Sequence, residues 1–197
     1  MKNPIRNKIA AMALAATMAV SMVPAMSVSA AVPETVSAQT SVTAEVSQQY
    51  SMQPGDVFVT NNATFGHASI AISRDKILHI GGFGEHPSVM SLAEWNARYS
   101  SKSGTWTKVY RINDPVKAVM AAKWAEKTYC HSDAIYMLSD NVASTDWTYC
   151  SKLVWQAFYY GAYEHPGETK HDGFIWPYSL EDEIPNLHLV HTFRAGK

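Results

Sequence analysis

The sequence predicts an α+β domain in which an antiparallel sheet packs against a helix that carries a cysteine. Short segments of alternating hydrophobicity predict strands, and later segments with helical spacing predict helices. These segments do not alternate regularly, as the strands and helices of a parallel sheet would. The 197 residues are 47% hydrophobic and 11% aromatic, which fits one folded domain with accessory sequence.

Residues 1–30 have the features of a secretory signal peptide. Three cations precede residue 9, an apolar run follows from 9 to 26, and the small residues 28–30 provide a cleavage site. An uncleaved membrane anchor is the alternative, although Ser21 and Pro24 interrupt the apolar run. We therefore expect a secreted or cell-envelope protein that works outside the cytoplasm.

The composition after residue 30 predicts a linker followed by one domain. We interpret residues 31–52, which lack periodicity, as a flexible linker and residues 53–197 as the folded domain. Without residues 1–30 the chain has 13 Lys and Arg against 17 Asp and Glu, a net charge of −4. This balance indicates no nucleic-acid partner. Since no later stretch is apolar enough to span a bilayer, we expect no stable membrane insertion after signal removal.

Local signals place the strands and helices. A Pro-Gly turn precedes a strand at 56–60, and an Asn/Thr/Gly loop leads to a strand at 67–72. Ser91 and Glu94 form a capping box that starts a short helix, and Asp114-Pro115 starts a helix that runs through Lys127. The other predicted elements are strands at 77–80, 105–112 and 187–193, and a helix that begins at Cys150 and stops near Gly161.

Cys150 is the most informative residue for chemistry. Its helix face continues with Leu153, Val154, Ala157 and Phe158. The thiol therefore faces the core at the first helical turn. Unpaired N–H groups and the helix dipole at that position lower a thiol pKa and favour the nucleophilic thiolate. A buried structural cysteine or a disulfide with Cys130 is the alternative, and a disulfide would exclude a thiol nucleophile.

His67 and His79 are candidates for a general base and its orienting partner. They lie twelve positions apart on adjacent predicted strands. This separation puts both rings on one sheet face only if the connection has an odd number of residues or a bulge. The small residues Ser69 and Ala71, on the face of His67, leave room for a helix end. Each histidine taken alone also fits an ordinary strand position.

No pattern in the sequence is typical of a metal or phosphate site. Cys130, His131 and the scattered histidines lack familiar zinc-ligand spacing. There is no Gly-rich phosphate loop after a strand and no G-x-S-x-G elbow. We therefore expect neither a metal nor an organic cofactor.

Five motifs together resemble a known family. They are Pro54–Val57, Gly66–Ile70, Ser91–Trp95, Tyr149–Val154 and Trp176–Leu180. They resemble the circularly permuted papain-like cysteine hydrolases of the YiiX/YebB type, relatives of the NlpC cell-wall peptidases. The histidine precedes the cysteine, as in the permuted branch, and the resemblance covers most of the predicted domain.

The resemblance implies a permuted papain-like fold and a Cys-His-His triad. Cys150 would be the nucleophile, His67 the general base and His79 the orienting residue, a position that is often glutamate in the permuted branch. The backbone of Cys150 would stabilise the oxyanion. Tyr136 would stand in for a tyrosine that relatives carry about a dozen residues before the cysteine.

The implied activity is that of a secreted thiol hydrolase acting on an amide bond. The expected substrates are peptides or amino-acyl amides, including peptidoglycan-derived ones. One alternative is a lipid amide or ester hydrolase or an acyltransferase. Another is a non-catalytic binding module with a Cys130–Cys150 disulfide. The sequence leaves the oligomeric state open.

Overall fold

A six-stranded antiparallel sheet with the order β4-β3-β2-β1-β5-β8 organises the structure, a computed structural model that describes residues 50–163, 171 and 173–195. The strands are Val57–Thr60 (β1), His67–Ala71 (β2), Ile77–His79 (β3), Ser88–Met90 (β4), Trp106–Ile112 (β5), Ile135–Tyr136 (β6), Trp147–Thr148 (β7) and Leu187–Arg194 (β8). β6 and β7 form a separate parallel pair. The predicted signal peptide and linker residues 31–49 lie outside the described residues.

In the described part of the chain four α-helices accompany the sheet, which confirms the predicted α+β class. They are Leu92–Tyr99 (α1), Pro115–Tyr129 (α2), Cys150–Gln156 (α3) and Leu180–Glu183 (α4). α3 continues into a π-helical turn, Ala157–Ala162, and a 3₁₀ turn, Pro177–Ser179, precedes α4. Among the described residues, no helix has the length and apolar character needed to cross a bilayer.

The two predicted helix starts are confirmed at the level of single hydrogen bonds. The Ser91 N–H donates to Glu94 Oε2 at 2.7 Å, and the Glu94 N–H donates to Ser91 Oγ at 3.3 Å. Asp114 Oδ1 accepts from the N–H groups of Val116 and Lys117. These bonds satisfy donors that a helix leaves unpaired in its first turn.

The sheet has a buried apolar cluster on each face. Alternate strand residues, including Val57, Val59 and Ile70, pack with α2 and α3. The intervening residues, including Phe58, pack under α1 with Trp95 and Tyr99. This alternation follows from the two-residue period of a strand. The face under α1 also carries the buried polar side chains of β2 and β3.

Packing begins before the predicted start of the domain at residue 53. Met52 is 4% exposed, and the Tyr50 hydroxyl donates to Asp56 Oδ2 at 2.6 Å. The Tyr50 ring also stacks on His191 of β8. Residues 50–52 therefore belong to the folded unit, whereas the sequence analysis assigned them to the linker because no periodicity marks them.

The helix that begins at Cys150 passes the predicted stop at Gly161 by one residue, in the π-helical turn. A β-carbon at Gly161 would lie 2.7 Å from Trp124 Cβ and 2.9 Å from the Met120 carbonyl oxygen. Gly161 therefore permits close packing against α2 instead of ending the helix.

Replacing Gly55 with alanine is expected to lower the free energy of unfolding by about 2–4 kcal/mol. Gly55 has φ +87°, and a β-carbon there would lie 2.6 Å from the Ala118 carbonyl oxygen. Both the left-handed backbone and the collision with α2 contribute. Urea denaturation measures the change.

Gly104 provides the matched control, because it has φ +80° and open space around the missing β-carbon. Gly104→Ala should cost only about 1 kcal/mol, from the backbone conformation alone. Equal losses in the two variants would contradict the close approach of α2 to the turn before β1.

Candidate functional site

Cys150 is the first residue of α3 and is only 5% exposed. The N–H of Ala68, the residue directly after His67, lies close enough to Sγ to lower the pKa of the thiol. The thiol therefore meets the backbone of β2 one peptide bond away from His67.

The ladder pattern explains why the Ala68 N–H is free to face the sulfur. Ala71 exchanges hydrogen bonds with the β1 side, through Gly55 and Asp56. Alternate residues of an inner antiparallel strand bond to opposite neighbours, so the Ala68 N–H points toward β3. The β2–β3 pairs are Ile70–Leu78 and Ala71–Ile77, so Ala68 lies beyond the paired stretch. Cys150 meets β2 where the two strands separate.

The resting thiol differs from the sequence prediction. Burial raises the pKa of Cys150, and the N–H groups of Ala68, Ser151 and Cys150 together with the Ser151 hydroxyl offset this only in part. The helix terminus alone predicts a lowered thiol pKa, and desolvation of the thiolate outweighs it here. Cys150 is therefore a neutral thiol at neutral pH.

His67 and His79 lie on the same face of the sheet, under α1. The β2–β3 register leaves five residues, 72–76, in the connection, which is the odd number that the sequence analysis required. If the register continues, Ser69 is opposite His79, and His67 is its diagonal neighbour. The centroids of the two imidazole rings are 5.5 Å apart with an interplanar angle of 88°.

The two rings are adjacent, but no hydrogen bond joins them among the described residues. His67 Nε2 and His79 Nδ1 are buried and have no hydrogen-bond partner among the described residues. His79 Nε2 lies 3.1 Å from Ser88 Oγ on β4. If the Ser88 hydroxyl accepts this bond, the proton of a neutral His79 is on Nε2, and His79 Nδ1 is left as an acceptor for the Nε2–H of His67.

Two aromatic rings of α1 cover His67, and sequence reasoning missed both. Trp95 stacks on the imidazole with centroids 5.5 Å apart, and Tyr99 does so at 4.9 Å. The Trp95 indole N–H donates to Thr107 Oγ1 at 3.1 Å, which fixes its orientation. Cys150 contributes to the raised pKa of Tyr99, which places the thiol in the neighbourhood of the same ring. The available signal was the pair of aromatic residues one turn apart in the capped helix.

Burial keeps both histidines neutral. It lowers the pKa of His67 to about 3, with further contributions from His79 and Arg98. It lowers the pKa of His79 to about 4, again assisted by Arg98. At neutral pH the site therefore combines a thiol with two uncharged imidazoles.

Lowering the pH from 7 to 5 is expected to reduce the free energy of unfolding by roughly 2 kcal/mol for each of these histidines. In the unfolded chain they titrate near 6.5, so only the unfolded state gains protons in this range. The stability that the two neutral histidines contribute is fully present above pH 6.5. It is lost as the pH falls toward the pKa values of the folded state, about 3 and 4. Urea denaturation across the pH range measures it. The double variant His67→Gln/His79→Gln should flatten the dependence, and an unchanged slope would contradict the buried neutral pair.

A cavity of about 130 Å³ opens beside Cys150. Its lining is mostly apolar and includes Phe65, Tyr136, Leu138, Phe174 and Trp176. The backbone of Ile175 forms one wall, since its N–H donates to the Tyr149 hydroxyl at 3.0 Å and its carbonyl oxygen accepts from Ser151 Oγ at 2.7 Å. The residues on either side of Cys150 thus hold this wall in place.

Tyr136, the predicted oxyanion residue, lies in the same cavity. It is half-buried, and burial, together with Cys150 and Tyr149, raises its pKa to about 12. It therefore stays protonated and can donate a hydrogen bond. The backbone N–H of Cys150 is one of the first-turn donors that the helix leaves free.

The cysteines do not form the disulfide of the alternative interpretation. Cys130 and Cys150 are both free thiols. Cys130 is at the C-terminus of α2, beside Lys76 and His131. Within the described ranges, no cluster of histidine, cysteine and carboxylate side chains could hold a metal ion.

α3 also organises the loop that leads into the nucleophile. Lys152 is fully buried, and its ammonium donates to the carbonyl oxygens of Asn141 and Trp147 at 2.7 and 2.6 Å. Gln156 Nε2 donates to the Val142 carbonyl oxygen at 2.7 Å. Burial lowers the pKa of Lys152 to about 8. The sequence signal for this structural role, which was missed, is a charged residue next to the buried stripe of α3.

Comparison with known proteins identifies a family. Residues 15–193 match the family described as "Lipoprotein N-acylation protein LnsA-like". The chain is also 31% identical over 159 residues to an "Uncharacterized 30.3 kDa protein" of Bacillus thuringiensis. This match covers 73% of the chain and 58% of that relative, so the chain spans less than two thirds of the relative's length. No solved structure matches the chain.

Proposed function

Because this chain belongs to the family of LnsA-like lipoprotein N-acylation proteins, we propose that it is an acyltransferase in which Cys150 carries the acyl group as a thioester. The acyl donor would be a lipid ester or amide, and the acceptor an amine. The sequence analysis gave this class as an alternative to amide cleavage in cell-wall peptides. This family is compatible with the YiiX-type resemblance, whereas the relation to the NlpC cell-wall peptidases stays a prediction.

The apolar cavity beside the buried thiol is the observation that carries this proposal. Apolar pockets with a few polar groups are typical of sites for small molecules. Here the polar side chains are Cys150 and Tyr136, together with Tyr149 and Ser151, whose hydroxyls bond to the Ile175 backbone. The remaining lining is apolar. An acyl chain fits such a lining better than the polar peptide of a cell wall does.

In the proposed first step, His67 removes the thiol proton as Sγ attacks the carbonyl carbon of the donor. A neutral imidazole and a neutral thiol are the ground state, so the proton moves as the bond forms. The N–H of Cys150 and the Tyr136 hydroxyl would donate to the oxyanion, and one such donor is typically worth roughly 3–4 kcal/mol of barrier. The leaving alcohol or amine takes the proton from His67, and the thioester remains.

In the second step an acceptor amine attacks the thioester. His67 takes a proton from the attacking amine, the C–S bond breaks, and the sulfur regains a proton. During the reaction His79 Nδ1 would accept a hydrogen bond from His67 Nε2–H and so orient the His67 ring, and Ser88 would hold the tautomer of His79. Water in place of the amine gives a hydrolase with the same intermediate.

The same proposal includes the fold type and the location. The histidine-bearing strands precede the cysteine-bearing helix, which supports a circularly permuted papain-like fold. The features of residues 1–30 and the family's connection with lipoproteins support an extracytoplasmic location. Lipid donors and lipoprotein-like amine acceptors would be its partners.

Intact-protein mass spectrometry tests the chemistry. The full chain is incubated with detergent-dispersed phospholipids of one defined acyl length, and we expect a mass increase of one acyl group. Hydroxylamine should remove this label, and peptide mapping should place it on Cys150. Adding a synthetic lipopeptide with a free N-terminal amine should transfer the acyl group to that amine.

Two cysteine variants and a second substrate class separate this proposal from the cell-wall interpretation. Cys130→Ser should acquire the label as the unmodified chain does, whereas Cys150→Ala should not. Cleavage of defined peptidoglycan fragments without any acyl-thioester would overturn acyl transfer and favour the peptidase.

A further inference from the structure

Five exposed aromatic side chains surround the mouth of the Cys150 cavity. This aromatic rim consists of Phe65, Phe83, Phe174, Trp176 and Tyr178, which are 65%, 76%, 40%, 45% and 51% exposed. Six aromatic side chains are exposed among the described residues, and Trp147 is the one outside the rim. Single exposed apolar residues are normal, but a cluster of this kind at one site marks a binding surface.

Contacts show that the rim is continuous with the cavity. Trp176 lies 5.9 Å from Phe65 and 6.1 Å from Phe174, measured between ring centroids, and all three line the cavity. Phe83 lies 5.3 Å from Tyr136, which also lines it. The Tyr178 ring lies where a β-carbon of Gly66 would be, with Cζ 2.7 Å from that position.

The charges beside the rim do not select a strongly charged partner. Arg98 and Glu85 face each other at 3.8 Å and are about half exposed. Lys108 lies over the Trp106 ring at 5.3 Å, and Trp106 contacts Tyr178. One paired and one single cation beside an aromatic cluster match the headgroup region of a bilayer, where tryptophan and tyrosine are enriched and lysine stems lie along apolar surface.

We propose that the aromatic rim docks the protein on a lipid surface, with the mouth of the Cys150 cavity facing the bilayer. This inference rests on the proposed acyl transfer, because an acyl chain that moves directly from the bilayer into the cavity avoids exposure to water. The phenyl rings of Phe65 and Phe83 enter the acyl boundary, while Trp176 and Tyr178 lie at headgroup level. Apolar contact supplies the attraction, so the docking depends little on ionic strength.

A fluorescent label on the rim tests the orientation of the full chain. Phe83→Cys is combined with Cys130→Ser and Cys150→Ala, and an environment-sensitive nitrobenzoxadiazole is attached to the new thiol. Vesicles of phosphatidylethanolamine and phosphatidylglycerol, and vesicles of phosphatidylcholine alone, should both shift its emission to the blue. High salt should leave the shift in place.

Val116→Cys in the same background is the matched control, because Val116 is apolar, 66% exposed and located at the start of α2. Its label should stay in water even when the N-terminal segment attaches the chain to the vesicle. Adding Phe65→Ser and Trp176→Ser should weaken the partitioning of the Phe83 label by on the order of tenfold or more. Leu189→Ser/Val190→Ser, on β8, should not.

Each other outcome overturns the docking. No shift at position 83, equal shifts at 83 and 116, or a shift lost at high salt would each do so. A shift without lipid that grows with protein concentration would assign the rim to a second copy of the chain. Since the Cys150→Ala background forms no thioester, this result is independent of the mass-spectrometric test. Thioester formation without docking would leave the proposed chemistry in place, and docking without a thioester would overturn only the chemistry.

Discussion

Replacing Cys150 with serine is expected to reduce kcat/KM for acyl transfer by at least about 10³-fold while the protein stays folded. An alcohol is far less acidic than a thiol, so it needs a stronger base to form a nucleophile. Burial lowers the pKa of His67 to about 3, which makes this imidazole a weak base. A thiol can still react beside it, and a serine hydroxyl cannot.

Steady-state transfer from a dispersed lipid to a lipopeptide measures the loss. The change from sulfur to oxygen at a 5% exposed position is small, so thermal unfolding should be similar to that of the unmodified chain. Cys130→Ser should keep the full rate because Cys130 caps α2 away from the cavity. A serine variant with more than a tenth of the original rate would remove Cys150 from the role of nucleophile.

The parts of the fold that depend on neighbouring residues could be predicted from the sequence. Ser91 and Asp114 cap helices through bonds that reach only two or three residues along the chain. Whether His67 and His79 share a sheet face depends on whether the short connection between their strands has an odd or an even number of residues. The sequence therefore left only two possibilities. In these places local chemistry determines the outcome.

The surroundings of the site could not be predicted in the same way. Trp95 and Tyr99 reach His67 because α1 packs on the sheet, and Ile175 forms a cavity wall through contacts with residues 24 and 26 positions earlier. Such contacts depend on how whole elements pack. Neither the spacing nor the composition of the sequence predicts these contacts.

The pKa of Cys150 also depends on one local effect, the start of the helix, and on one non-local effect, burial. The start of a helix was visible in the sequence, and its N–H groups do act on Cys150. The degree of burial was not visible, and the desolvation of a thiolate outweighs a few N–H donors. The neutral resting site is therefore a property of the packed structure.

Replacing His67 with alanine is expected to slow acylation of Cys150 by about 10²–10⁴-fold, the usual range for losing a positioned general base. Because the pKa of His67 is held near 3, the rate of the unmodified protein should not fall as the pH is lowered from 7 to 5. Single-turnover thioester formation measured across that range gives both the size of the loss and the pH dependence. A titration near 6.5 would indicate an exposed histidine and contradict the stacked position.

His67→Ala also leaves a gap beneath the rings of Trp95 and Tyr99, so a second variant has to separate structure from chemistry. His67→Gln fills most of this space without a titrating group, and it should be nearly as slow as His67→Ala while remaining more stable. His79→Glu should retain more activity than His79→Ala, because a carboxylate can still orient the His67 ring. The same carboxylate would favour the charged imidazolium and raise the pKa of His67. The rate of His79→Glu should therefore fall at a higher pH than that of the unmodified protein, and an unchanged profile would contradict contact between the two side chains.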